Sequence, residues 1–386
     1  MYRGIATFTL DYGTCPRWLF ERMVRLGREM VYVLIDEYGS DEFIRRISDP
    51  VWFQALGTVL AFDWNASGLT TILTAALKEA IRNEEYDLGL FICGGKGKTS
   101  RKTPEEIREW GTRASFPESS VGNLVYNSRM SAKVDSALVQ DGFQIYHHSF
   151  FFSKSGAWAV VQQGMNEHLG TARRYHWFSE NVNDLVCEPH AGFFSETSPP
   201  RVLDLTARKS EKNRALSVDL VHAGYASLMK EIRLLRAYAT PVSRMASFER
   251  KGEQLTLLEL DDAEFLTHPV VTEDFSKSKY LERVLSRLAE EKPRTYEQLV
   301  ATAGVGPKTV RALALVGEVI YGAPPSYEDP ARYSFAHGGK DATPYPVDRA
   351  VYDETIEMLG NAARRARISF QERSAILRKL GETVDK

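Results

Sequence analysis

The chain of 386 residues has only three cysteines, Cys15, Cys93 and Cys187. They lie far apart and match no metal-ligand spacing, which excludes a disulfide framework and a zinc ribbon and fits a reduced compartment. No apolar run approaches the ~18 residues that a membrane span needs. The start, "MYRGIATFTLDYG", lacks the apolar core of a signal peptide, so a cytoplasmic protein without membrane association is expected. Neither charge sign dominates. The net charge of −2 excludes a global polycation, so any nucleic-acid binding must come from local patches. Gly-x-Ser-x-Gly, His-Glu-x-x-His and Cys-x-x-Cys are all absent, which lowers triad-hydrolase and zincin readings. Neither an internal repeat nor a low-complexity tract occurs.

Local basic patches are present. Residues 201–251 carry eleven Lys/Arg against five Asp/Glu, and Lys96–Lys102 holds four basic residues and no acid. The first half reads as mixed helix and strand. "PRWLFERMVRLGREMVYVLIDEYG" spaces Leu19, Met23, Leu26, Met30 and Val33 as a helix does, with Pro16 near its start and Gly39 past its end. "LGLFICGG" reads as a short buried strand. "TPEEIREWG" opens as a capping box with Thr103 and Glu106. In "GFQIYHHSFFFSKSGAWAVVQQGMN" two β-rich runs flank "SKSG", the pattern of a β-hairpin. Beyond residue 276 the pattern is all-helical, interrupted by the Pro/Gly-rich "APPSYEDPARYSFAHGGKDATPYP". The expected architecture is α+β: an α/β-like region with a β-hairpin over 1–205, a helical basic connector over 206–275, and an all-α domain over 276–386.

Three stretches carry candidate chemistry. "YEQLVATAGVGPKTVRALALVGEVI" reads as helix, glycine turn, helix. The glycines permit φ > 0 and keep side chains off the surface, so backbone N–H groups and the next helix start can meet an anion. Gly304, Gly306 and Thr309 are the expected contacts. "ICGGKGKTS" ends like a P-loop, but the first glycine of that motif would fall at Ile92. A phosphate-contacting basic loop with Lys96, Lys98 and Arg101, or a solvated surface loop, fits better. Between 133 and 190 lie Lys133, Asp135, Asp141, His147, His148, His176 and His190. Such a set could hold a divalent metal or serve as acid and base in phosphodiester cleavage, although no cofactor follows from the spacing. On a strand His147 and His148 point to opposite faces, so only one can share a site with Asp141 or His176. "ARRYHWF" interleaves Arg173 and Arg174 with aromatics, which suits stacking on an unpaired base with phosphate contact, or equally a buried aromatic cluster with surface arginines.

The core "GVGPKT" resembles the helix-hairpin-helix motif, whose turn grips a DNA phosphate without reading sequence. In the DNA glycosylases of that superfamily with lyase activity, the matching residue is a catalytic lysine. It attacks C1′ to form a Schiff base, assisted by an aspartate in a "PVD"-like pattern. The resemblance, over roughly 276–370, implies that Lys308 and Asp348 of "YPVDRAVYDETI" form that pair. Their separation of 40 residues and the long intervening loop depart from the commonest members, and no Cys₄ iron–sulfur pattern is present. The alternative is a phosphate-binding hairpin with a surface lysine and Asp348 as an N-cap. "RGIATFTL", "PRWLFERM", "DPVWFQALG", "FDWNASGLTT", "GGKGKTSRKTPEEI", "SAKVDSALVQDGFQIYHH", "VVQQGMN" and "ARRYHW" make nearly the whole chain similar to an uncharacterised family of archaeal and bacterial proteins. That resemblance implies no reaction. The combined expectation is a DNA-processing protein acting on duplex, damaged or partly single-stranded DNA, through a glycosylase/lyase step. The rivals are a metal-dependent nuclease sited in 133–190 and a non-catalytic DNA-binding or scaffold protein.

Overall fold

The computed structural model describes residues 15–61, 66–195, 199, 201–238, 247–250, 253–256, 278–333 and 349–380. Within them the chain begins with three helices, α1 (Arg17–Ile47), α2 (Pro50–Ala61) and α3 (Ala66–Ala80), and one helical turn, α4 (Glu85–Leu88). Strand β1 (Leu90–Lys96) follows, then α5 (Thr103–Arg113) and α6 (Glu118–Ala137). The remaining strands of the first half are β2 (Val139–Gln140), β3 (Gln144–Ser153), β4 (Trp158–Asn166), β5 (Thr171–Phe178), β6 (His190–Ser195) and β7 (Leu203–Asp204). Then come α7 (Glu211–His222), α8 (Tyr225–Tyr238) and a hairpin of β8 (Ser247–Arg250) and β9 (Glu253–Thr256). The last helices are α9 (Lys279–Glu291), α10 (Tyr296–Ala301), α11 (Pro307–Leu315), α12 (Arg349–Arg365) and α13 (Phe370–Lys379).

Helix α1 buries the expected stripe of Leu19, Met23, Leu26 and Met30, continued by Leu34, and breaks at Gly39 with φ +83°. Asp49 caps α2 by accepting from the N–H groups of Val51 and Trp52, with Pro50 at the first helical position. The capping box expected at Thr103 is not formed. Thr103 donates its hydroxyl to Ser100 O, and the Glu106 carboxylate reaches out of the helix to Gly94 N–H and Lys78. An ammonium and a strand-end N–H together hold a carboxylate better than one capping N–H does.

The sheet has five strands in the order β1-β3-β4-β5-β6, with all four pairings antiparallel. This is an α+β arrangement. The α/β-like aspect expected of the first half is absent from the sheet, because β1 and β3 pair antiparallel although two helices join them. The "SKSG" hairpin forms as β3–β4.

Both faces of the sheet are covered, and side-chain alternation divides the core in two. Phe91, Cys93, Phe150, Phe152, Trp158, Val160 and Trp177 pack towards α5–α11. Leu90, Ile92, Phe151, Ala159, Val161 and Phe178 pack towards α1–α3, with α12 and α13 on the same side. The first cluster joins Phe91, Leu205, Val221, Leu285, Leu299 and Leu313, so one core runs across both expected boundaries, near 205 and near 276. Among the described residues no helix is long and apolar enough to cross a membrane.

Candidate nucleic-acid interface

The segment Thr302–Gly306 joins α10 to α11 in a tight turn. Gly304 has φ +90°, and a Cβ there would lie 3.1 Å from Val284 Cγ2 and 3.4 Å from the Tyr280 hydroxyl. A side chain is therefore disfavoured by conformation, and it would crowd Val284. The carbonyls of the turn are tied down one after another. Thr302 O accepts from Lys133 Nζ at 2.7 Å, Ala303 O from Arg287 Nη1 at 3.0 Å, and Gly304 O from the Tyr280 hydroxyl at 2.9 Å. Beyond the turn, Pro307 O accepts from Gln140 Nε2 at 3.0 Å, and Gln140 in turn accepts from Arg311 Nε. Burial lowers the Lys133 pKa.

Donors on α6 and α9 thus engage three consecutive carbonyls of the turn, and within it Val305 N–H donates to Thr302 O at 3.2 Å. The start of α11 adds the N–H groups that a helix leaves without internal partners. Gly306 is extended, at φ −150°, and a Cβ there would enter open space. Lys308, two residues on, is exposed, as is Arg287, which holds the Ala303 carbonyl. Thr309 differs from expectation. The whole residue is buried, so it offers no surface to a ligand.

Lys96, Lys98, Arg101 and Lys102 are exposed on and after the end of β1. Lys96 lies over the Tyr146 ring, 5.8 Å from its centroid. The strand end itself is occupied by the chain's own anion, because Glu106 accepts from Gly94 N–H at 2.7 Å and from Lys78 Nζ at 2.7 Å. A P-loop would present that N–H to a phosphate, so this loop offers its side chains rather than a nucleotide cradle.

The polar residues of 133–190 do not converge on one site. All eight residues of β5 are buried, since it lies between β4 and β6 and is covered on both faces. Arg173 points to one face, where it binds Asp141 at 3.0 Å and Asp329 at 2.8 Å, with Tyr175 also donating to Asp141. Arg174 points to the other, held by Thr70 and Gln54 and lying between the rings of Phe53 and Phe194. Burial brings its pKa down to about 9. Neither guanidinium reaches the surface expected of a phosphate contact. Asp141 is buried too, and burial raises its pKa against the pull of Arg173.

His147 and His148 do face opposite ways. His147 meets Thr74 and Ser149, and burial lowers its pKa to about 3. His176 lies on the same face, donating from Nδ1 to Ile47 O, and burial holds it well below its ordinary value. His148 belongs to a buried chain on the other face. Gln162 donates to Asp135, so its Oε1 accepts from His148 Nδ1–H, and His148 Nε2 accepts from the Ser128 hydroxyl at 2.9 Å. Asp135 also accepts from Trp177 Nε1 and lies 2.6 Å from His190 Nε2. These are buried interior networks, in which His147 Nδ1 and His176 Nε2 have no hydrogen-bond partner among the described residues. Among the described residues no three His, Cys, Asp or Glu side chains come together as a metal site. Asp348, like Lys340 and Asp341 of the long loop, lies outside the described residues.

Residues 4–347 match the model of a family described as "Protein of unknown function (DUF763)". The chain belongs to this family. No curated protein and no solved structure matches it.

Several residues that hold the turn carry no local sequence signal. Lys133 was grouped with the histidines, whereas it straps the turn. Tyr280, Arg287 and Gln140 carried no signal at all, because each acts on a carbonyl distant in sequence. Asp329 is the second carboxylate of Arg173, 156 residues away.

Proposed function

We propose that this chain is a DNA-binding protein that grips the phosphate backbone without reading sequence, through the turn Thr302–Gly306 and the start of α11, in the manner of a helix-hairpin-helix. The observation that carries the reading is the consecutive capture of the Thr302, Ala303 and Gly304 carbonyls by Lys133, Arg287 and Tyr280. With these three carbonyls engaged, and Thr302 and Val305 N–H bonded internally, the turn's remaining N–H groups and the start of α11 are its donors for an anion. Exposed Lys308 and Arg287 add charge beside the turn. The loop Lys96–Lys102 supplies a second basic patch for the same backbone.

The lyase reading needs a deprotonated lysine, and therefore a desolvated pocket or a close cation. Lys308 is exposed on the first turn of α11, which suits a phosphate contact better than a Schiff-base nucleophile. Borohydride treatment with abasic duplex is expected to trap no adduct. An adduct lost in Lys308→Gln would reinstate the lyase.

Gly306→Val tests the grip cleanly. The backbone there is already extended and the new side chain enters open space, so the fold is retained while the N–H surface is covered. Expected is a large loss of affinity for duplexes of any sequence. Wild-type binding by this variant would end the proposal.

A further inference from the structure

Helix α9 buries Leu281, Val284, Leu285, Leu288 and Ala289. Tyr280, Arg283 and Arg287 lie at i, i+3 and i+7, a separate stripe of the same helix. Tyr280 is 56% exposed, among the most exposed large aromatics of the chain. It is also fixed in place, because its hydroxyl donates to Gly304 O at 2.9 Å. An aromatic ring is thus held at the edge of the turn, between the surface proposed to take a phosphate and two exposed arginines.

We infer that Tyr280 is a stacking platform for an unpaired base next to the gripped phosphate, so that the preferred ligand is DNA with a single-stranded segment or an extrahelical base. The inference rests on the backbone-gripping reading of the turn. Every base has a π-face, but in a duplex both faces are already stacked, so a ring beside the backbone gains only from a base that has left the helix. The tether to Gly304 lowers the ordering cost of that contact, since the ring does not have to be immobilised on binding. Arg283 and Arg287 on the same stripe give the flanking single strand its charge partners.

The test uses the full chain and three probes: a blunt duplex, the same duplex with a single-stranded extension, and the single strand, each with 2-aminopurine at one position. Wild type is expected to prefer the two probes with unpaired bases and to quench 2-aminopurine in them. Tyr280→Phe keeps the ring and removes the hydroxyl, and it should retain that preference. Measured against Tyr280→Phe, which lacks the strap to Gly304 as well, Tyr280→Ala should bind the unpaired probes about 5- to 100-fold more weakly, without quenching, while the two variants bind the blunt duplex equally. An equal loss on all probes would make Tyr280 only a strap for the turn, and no loss on any would leave it without a role; either result overturns the platform. Gly306→Val separates the two levels. If it leaves binding to all three probes intact, the backbone grip itself has failed. If it abolishes binding while Tyr280→Ala loses no preference, only the platform has failed.

Discussion

Lys133 Nζ donates to the carbonyl of Thr302 at 2.7 Å, across 169 residues of chain. The bond joins α6, which packs on the sheet, to the turn between α10 and α11. It makes the orientation of that turn a property of the sheet-bearing core rather than of the two short helices. Lys133→Met is expected to cost about 1.5–3 kcal/mol, the range for a hydrogen bond from a charged group. It should also weaken binding to duplexes of every sequence, because the turn is no longer held in place. Urea unfolding and fluorescence anisotropy read the two effects. Lys133→Arg, which keeps a cationic donor, should recover most of both.

Lys308 is expected to act as one charge and nothing more. Removing a phosphate contact changes the slope of log Kobs against log salt by about 0.9. Lys308→Gln should lower that slope by about this amount and weaken binding uniformly across sequences. A salt titration of the variant beside wild type measures it. An unchanged slope would take Lys308 out of the interface.

Arg173 is expected to matter for stability and not for binding. Its guanidinium lies fully buried between Asp141 and Asp329. Removing one partner of a buried ion pair leaves charge without compensation, at a cost of about 3–5 kcal/mol. Arg173→Met should therefore lower the urea midpoint strongly, while the folded fraction binds DNA with the wild-type salt slope. A lower slope at unchanged stability would restore the phosphate contact that "ARRYHWF" first suggested.

That stretch shows where sequence and structure part. Helix α1, the β3–β4 hairpin and the α10–turn–α11 unit were legible because each depends on local period and local breakers: helical spacing up to Gly39, alternation on both sides of "SKSG", and glycines before Pro307. The opposed directions of His147 and His148 followed from the same period of two. What was not legible is how many layers cover a strand. Alternation assigns Arg173 and Arg174 to opposite faces but is silent on whether each face meets water or another layer. Here both meet protein, so residues chosen for their chemistry became interior partners. Glu106 failed for a related reason. Its capping spacing was correct, but Lys78 and Gly94 N–H, brought close only by the fold, compete more strongly.

The buried histidines should make the fold sensitive to mild acid, in a direction that is fixed. Burial lowers His148 from the ordinary 6.5 to about 4, against the opposing hydrogen bond with Gln162. His147 and His176 shift the same way. Between about pH 6.5 and about pH 4 the unfolded chain therefore binds more protons at these rings than the folded chain does, and stability falls as the pH falls. Asp135 and Asp141, whose pKa values burial raises, work in the opposite sense and blunt the slope. A comparison with His148→Gln isolates the histidine. Above pH 6.5 the variant is less stable than wild type by a constant amount, because it loses the bonds to Ser128 and Gln162. As the pH falls, wild type loses the His148 contribution and the variant has none to lose. The gap should shrink by roughly 3 kcal/mol over the window, at 1.36 kcal/mol per pKa unit. Urea unfolding at half-unit steps through that window measures it. A gap that stays constant would mean that His148 is not held neutral in the fold, and the hydrogen-bonded chain from Ser128 to Asp135 would then need the opposite assignment of protons.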